Sequence, residues 1–360
     1  MLKKLDIYII RKFLGTFFLS IVLIISIAVV FDITEKIDDF MENNAPLKAI
    51  IFDYYVNFIP YYANLFSPVF IFLSVIFVTS KLADNSEIIA MFSSGISFHR
   101  LMRPYMISAG VIAFLTFFLS SHVIPPANKE RIDFQEVYVK KKKKDQAIKI
   151  RLWVTDTEVL SIDYYDKREQ KGRRASIDEF DYYRKTLKSR IVAHDIEWMG
   201  EDNWRLLDYT KREFDGLYEH LSKGDSMDLK LNLIPEDFFV FAGMQEQMTT
   251  PELTEYIDRQ RTRGVGNIKD FEIEHAKRFS FPFAAFILTI IGVSLSSKKI
   301  KGGMGINLGI GIGLSLIYIL FFSISSTFAI NGNFSPTMAV WLPNIIFGLI
   351  AVFLYIRAPK

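Results

Sequence analysis

The chain has 360 residues, 50% of them hydrophobic, with 33 Phe and a formal net charge of +3. Its mean hydropathy of +0.21 is too high for an ordinary soluble protein and too low for one wholly inside a bilayer, so a mixed protein is expected. Near-balanced charge, with most Lys and Arg flanking apolar segments, argues against a nucleic-acid groove. The absence of cysteine excludes disulfides, thiolate metal sites and a cysteine nucleophile.

At the start of the chain, Lys3, Lys4, Arg11 and Lys12 accompany an apolar run from Phe13 to Phe31. The run is longer than the apolar segment of a signal peptide and no small-residue cleavage site follows, so it is read as an uncleaved span. A hydrocarbon core of about 30 Å takes roughly 20 helical residues. Windows of that kind fall near residues 13–33, 50–80, 104–124, 279–297, 304–328 and 338–356. Pro60 and Pro68 blur the limits of the second.

Short connections rich in Lys and Arg stay in the cytoplasm. The clusters are Lys3, Lys4, Arg11 and Lys12; Lys81, Arg100 and Arg103; Lys298, Lys299 and Lys301; and Arg357 with Lys360. Six spans place all four on one side, with both termini cytoplasmic. The other connections agree, since residues 32–49 are mainly acidic and Ala329–Thr337 carries no charge.

The stretch between the third and fourth spans is too polar for lipid and forms a separate extracytoplasmic domain. Period-two alternation groups Ile148, Ile150, Leu152 and Val154; Leu160, Ile162 and Tyr164; and Val192, Ile196 and Trp198 on inward faces. Turn-like clusters at short intervals point to an all-β sandwich or jelly roll. From Thr250-Pro251-Glu252-Leu253 the pattern becomes helical. The expected fold is an α-helical membrane protein with six transmembrane helices, three plus three, and a jelly-roll-like domain between helices 3 and 4. The expected domains are residues 1–128, 129–248 and 249–360.

No G-x-x-x-x-G-K-[ST], H-E-x-x-H or G-x-S-x-G pattern occurs and the five His are scattered, so no catalytic residue, metal site or cofactor is assigned. The connection from Asp84 to Gly95 reads as a short amphipathic helix with Asp84 as N-cap, Glu87 at the third position and Gly95 closing it. In one reading Glu87 only completes a capping box while Ile88, Ile89, Met91 and Phe92 rest on lipid or neighbouring helices. In the other it is a coupling helix entering a groove of a soluble ATPase, with Glu87, Ile88, Met91, Phe92 and Gly95 as its contact residues.

Ser86-Glu87-Ile88-Ile89-Ala90-Met91-x-x-x-Gly95-Ile96-Ser97 resembles a segment of the LptF/LptG family of lipopolysaccharide-export permeases. Leu5-Asp6-x-Tyr8-Ile9, Leu233-Ile234-Pro235-Glu236-Asp237-Phe238 and the helix with Leu253 and Tyr256 before Pro282 resemble it too, in its LptG-like branch. The resemblance implies an inner-membrane permease with a periplasmic jelly roll. Implied partners are a paralogous LptF-like permease, an LptB-like ATPase dimer and a single-span LptC-like protein, with lipopolysaccharide as the substrate and ATP hydrolysed by a separate subunit. It implies Glu87 as the ATPase contact.

Family members carry basic residues near the outer ends of the first spans for lipid A phosphates, whereas Lys36 here has acidic neighbours. Lys36, Lys129 and Arg131 are the candidates for lipopolysaccharide, against ordinary interfacial anchoring. The run from Lys140 to Lys144 reads as solvated, against attraction of anionic lipid head groups. Gly305, Gly309 and Gly313 recur every fourth residue, which suits close helix packing within the chain, or a face open to a partner or lipid. Glu274, Lys277 and Arg278 form intrahelical pairs or line a cavity. Competing functions are another lipid or lipoprotein exporter, whose known family inserts its soluble domain after the first span, and a membrane-anchored sensor or scaffold.

Overall fold

The computed structural model describes residues 3–139, 146–155, 157–181, 186–216, 218–239, 243–263, 268–298, 304–331 and 334–358. The Lys140 to Lys144 run, Lys299, Lys301, Gly302, Gly303 and Lys360 lie outside the described residues. Two compact units emerge, one from residues 1–139, 246–250 and 271–360, the other from residues 140–245 and 251–270.

The first unit is helical because its apolar runs can satisfy their backbone groups in lipid only within each helix. Its helices are α1 (Lys4–Glu42), α2 (Leu47–Asp84), α3 (Glu87–Ser93) and α4 (Phe98–Tyr138), then, after α5 (Thr250–Arg263) of the other unit, α6 (Lys269–Ser280), α7 (Phe283–Ser296), α8 (Met304–Asn331) and α9 (Pro336–Arg357). Five of these are long and apolar enough to cross a membrane, and α6 with α7 makes a sixth crossing bent by 49°. The 14 residues of α7 reach only ~21 Å, short of a hydrocarbon core, so α6 must complete the span. Pro282, which has no backbone N–H, stands at the break. Ser280's carbonyl there accepts from Asn344 Nδ2 at 2.7 Å, and Asn344 Oδ1 accepts from the Tyr318 hydroxyl at 2.9 Å. Three helices thus meet in one buried chain of hydrogen bonds.

The second unit holds six antiparallel strands: β1 (Gln146–Trp153), β2 (Glu158–Asp166), β3 (Lys171–Phe180), β4 (Leu187–Gly200), β5 (Asn203–Asp215) and β6 (Tyr218–Lys230). Each pairs with its sequence neighbour, so the all-β domain is built as one meander. The crossover connections of a two-Greek-key jelly roll do not occur among the described residues. The sheet still forms its own core, and its register shows how. Along a line across it the pairing passes over Lys149, Asp163, Arg174, His194, Asp208 and Asp225, one residue per strand. In alternate strands Lys149, Arg174 and Asp208 have φ of 54°, 52° and 50°. The register is continuous across this line, one residue of each strand facing one of the next, so the side chains change their facing there without a bulge; the register shifts lie instead at Glu179/Phe180 and Trp198/Gly200.

Buried residues straddle the line three apart, as Ala147 and Ile150, Ile162 and Tyr165, Gly172 and Ala175, or Ala193 and Ile196. The groups read from simple alternation cross this line, which corrects two of their members: Ile148 is 68% and Val192 45% exposed. α5 closes the unit, burying Leu253, Tyr256 and Ile257 and donating from Gln260 to Asp237 at 2.9 Å.

Within the bundle, 61% of α2's most apolar window is buried against 17% for α1 and 22% for α8, so α2 is the central post and the other two offer broad apolar faces outward. Ile71, Phe72, Val75 and Ile76 of α2 pack with Ala284, Ala285, Leu288 and Ile291 of α7. The close approaches use Gly292 and Gly311, whose missing Cβ atoms would sit 2.7 Å from Val75 Cγ1 and 2.5 Å from Ile76 Cδ1. Gly305, Gly309 and Gly313 meet nothing within 4 Å, which corrects their assignment to packing inside the chain. Two residues along a helix turn the face by about 200°, so Gly311 points at α2 while that stripe points away.

Gly292→Ala is expected to cost about 1–3 kcal/mol, because the stiff Val75 side chain cannot swing aside. Gly309→Ala should leave the melting midpoint of the detergent-solubilised protein unchanged, and a thermal melt of both variants checks the pair.

Candidate functional site

α2 runs on through Asp84, so Asp84 is not the N-cap of α3, and Ser86, in a left-handed conformation with φ of 63°, takes that place without a side-chain hydrogen bond. Glu87 is the first residue of α3 and does not close a capping box. Its carboxylate instead accepts from the Tyr8 hydroxyl at 2.9 Å and from Asn85 Nδ2 at 3.4 Å, with Lys12 Nζ at 3.8 Å. Ile88 and Met91 are buried in the chain's own core and Phe92 is half-buried against it, so these apolar residues anchor α3 to the bundle. Ile89 and Ala90 face outward. Gly95, with φ of 83°, closes the helix: its N–H donates to Phe92 at 3.0 Å and that of Ile96 to Met91 at 3.1 Å, a Schellman end.

The same end of the bundle is cross-tied. Arg100 makes a bidentate pair with Asp6 at 2.5 and 2.7 Å, and His99 Nδ1 lies 2.9 Å from the Tyr355 hydroxyl. These contacts gather the first turn of α1, the first turn of α4 and the last turn of α9 beside α3.

The second candidate region lies about 36 Å away along α1. Lys36 is engaged by Asp32 and by the Tyr54 hydroxyl at 2.5 Å, while Tyr55 donates to Asp32 at 3.2 Å. Arg131 is buried, donates to Asn128 Oδ1 at 3.2 and 3.3 Å and stacks 5.1 Å from the Tyr61 ring centre. Lys129 is exposed and makes no ion pair among the described residues. The three cations expected for lipid phosphates are therefore placed differently: Lys36 is paired with Asp32, Arg131 is buried against Asn128 and the Tyr61 ring, and Lys129 is exposed.

Nearby, a cleft of about 490 Å³ is lined by Tyr61, Asn64, Glu246, Glu274, Lys277 and Arg278, among others. Glu274 pairs with Lys277 at 3.4 Å and with Arg278 at 3.3 Å, so the intrahelical pairs form, and the same side chains line this cleft. Arg278 also donates to the Met248 carbonyl at 2.8 Å and to Thr250 Oγ1 at 3.1 Å. Tyr61, Asn64 and Glu246 escaped sequence reasoning, since two sit in an apolar span and one in an irregular connection, and no local spacing links them. Burial pushes the Glu246 carboxyl above its ordinary range, and Glu274 adds to this against the opposing pull of Lys277. No group of three or more His, Asp or Glu side chains suited to a metal ion is found among the described residues.

A model of the lipopolysaccharide export system permease LptF/LptG family matches residues 7–357, nearly the whole of this helix–sheet–helix arrangement. The chain belongs to that family. It is accordingly a lipopolysaccharide-export permease, a multi-pass inner-membrane transport protein and not an enzyme. The family description joins LptF and LptG and does not divide them. Comparison with curated proteins finds no match.

A raised folded-state pKa means that the folded permease binds the Glu246 proton more tightly than the unfolded chain does. The stability linked to this group is therefore greatest at low pH and declines as pH rises from about 4.5 through the raised value. Glu246→Gln should remove that decline, which the difference between wild-type and variant melting curves from about pH 4.5 to about pH 8 would show.

Proposed function

We propose that the chain is one of two paralogous permeases of an ATP-driven exporter that extracts lipopolysaccharide from the inner membrane and passes it to a periplasmic bridge. The observation that carries this reading is α3, a seven-residue helix between two spans, pinned by Ile88 and Met91 with Ile89 and Ala90 turned outward. Such a knob suits a groove on a soluble ATPase, here an LptB-like dimer, with Glu87 meeting a cationic group there.

The orientation follows from the basic residues. Arg100, Lys12 and Arg357 belong to the end that α3 occupies, which supports a cytoplasmic α3, cytoplasmic termini and a periplasmic β domain. The outward apolar faces of α1 and α8, with the open stripe of Gly305, Gly309 and Gly313, suit a cavity completed by an LptF-like partner and entered sideways by lipid. Acyl chains can leave the bilayer for such a cavity because apolar protein matches lipid at about 0.8 kcal/mol per buried methylene. The work done with ATP is then conformational: closure drives the lipid toward the β domain and a single-span LptC-like partner. Of the three candidate cations, Lys129 is the exposed one and would meet a lipid A phosphate.

Purification in mild detergent tests the coupling helix. Glu87→Ala should insert normally, recover less ATPase and lose lipopolysaccharide transport, whereas wild-type transport in that variant, or transport by the isolated chain, overturns the assignment. For the substrate contact, Lys129→Glu should lower lipopolysaccharide photocrosslinking several-fold. Lys36→Ala should instead lower the melting midpoint, because it leaves Asp32 without its cation.

A further inference from the structure

The N-terminal turn of α1, Leu5-Asp6-Ile7-Tyr8-Ile9, reaches two other helices. Asp6 is 3% exposed, and besides its two bonds from Arg100 it accepts from the Lys3 backbone N–H at 2.8 Å. With Ile9 and Phe13 fully buried, that turn has one orientation against the start of α4. Tyr8 stands between these anchors and spends its hydroxyl proton on Glu87 Oε2 at 2.9 Å. Lys12, one turn further on, donates to the Tyr8 hydroxyl and lies 4.2 Å from the centre of its ring.

The result is a directed relay, Lys12 to Tyr8 to Glu87, in which each donor polarises the next. Without it Glu87, with 29% of its side chain exposed, would sample several rotamers at the end of a short helix. Among the described residues its other oxygen, Oε1, has Lys12 at 3.8 Å and Asn85 at 3.4 Å, distances that leave room for a closer cation from outside.

We infer that Tyr8 is a positioning residue of the coupling site, holding Glu87 in one rotamer and tying α3 to α1, so that a displacement of α3 is delivered to the first span as well as to α2 and α4. The inference rests on the coupling-helix reading of α3. It assigns the N-terminal motif a mechanical task that a membrane anchor does not require.

Tyr8→Phe deletes the hydroxyl and keeps the ring under Lys12. In the full permease–ATPase complex reconstituted in lipopolysaccharide-containing vesicles, it should melt at the wild-type midpoint and retain more ATPase than Glu87→Ala does. Lipopolysaccharide transferred per ATP hydrolysed should fall about fivefold, in keeping with loss of one hydrogen bond to a charged group at a partly exposed site. A wild-type transfer ratio overturns the inference, and so does a loss accompanied by a lowered midpoint, which would make the role structural. Glu87→Ala measured alongside separates the two levels. If it abolishes transport while Tyr8→Phe changes nothing, only the relay falls; if Glu87→Ala transports normally, the coupling helix and the relay fall together.

Discussion

A carbonyl that leaves a helical ladder inside an apolar bundle must find a donor, and Ser280 finds Asn344. That bond permits the bend between α6 and α7, and the bend gives α6 a course of its own. On α6 ride Glu274, Lys277 and Arg278, which line the cleft with Tyr61 and Glu246. Arg278 in turn holds the connection at Met248 and Thr250. A straight fourth span would carry the same residues on the face of one continuous rod, with no reason to converge on that connection.

The two ends of the bundle use charge in different ways. At the α3 end, Asp6 with Arg100 and Glu87 with Tyr8 and Lys12 join separate helices, so the polar contacts tie together elements far apart in sequence. At the far end, Asp32 neutralises Lys36 and draws in Tyr54 and Tyr55, which makes a closed cluster with little left for a ligand. Exposed ion pairs of the sheet contribute little to stability, since water screens them. The buried ones decide geometry, because a charge without its partner in a low-dielectric interior is costly.

The sheet meets the problem of building a core from a single layer. A flat meander would bury one face against nothing, and six strands with short turns have no second sheet to cover them. The line through Lys149, Asp163, Arg174, His194, Asp208 and Asp225 resolves this, since the buried positions change phase there, three apart rather than two, and both halves send side chains to the same interior. All six residues on the line are polar and exposed, as expected where strands change their facing and the outer surface is wet.

The amino-acid sequence by itself determined the number of spans, the three-plus-three division, the all-β insertion, a short helix between Asp84 and Gly95, though not its N-cap, and the resemblance to the LptF/LptG family. These depend on local quantities, namely apolar run length, alternation and capping residues, which need no knowledge of neighbours. Only the tertiary structure decided which side of each element is inward. It turned Ile88 and Met91 into anchors, moved the packing role from Gly309 to Gly311, paired Lys36 with Asp32, buried Arg131 against Asn128, and joined Tyr8 to Glu87 across 79 positions. The physical reason is that periodicity names a face but not its partner: a helical stripe, a strand's phase or a lone charge acquires its role from whatever packs against it, and that is set by chain segments far away in sequence.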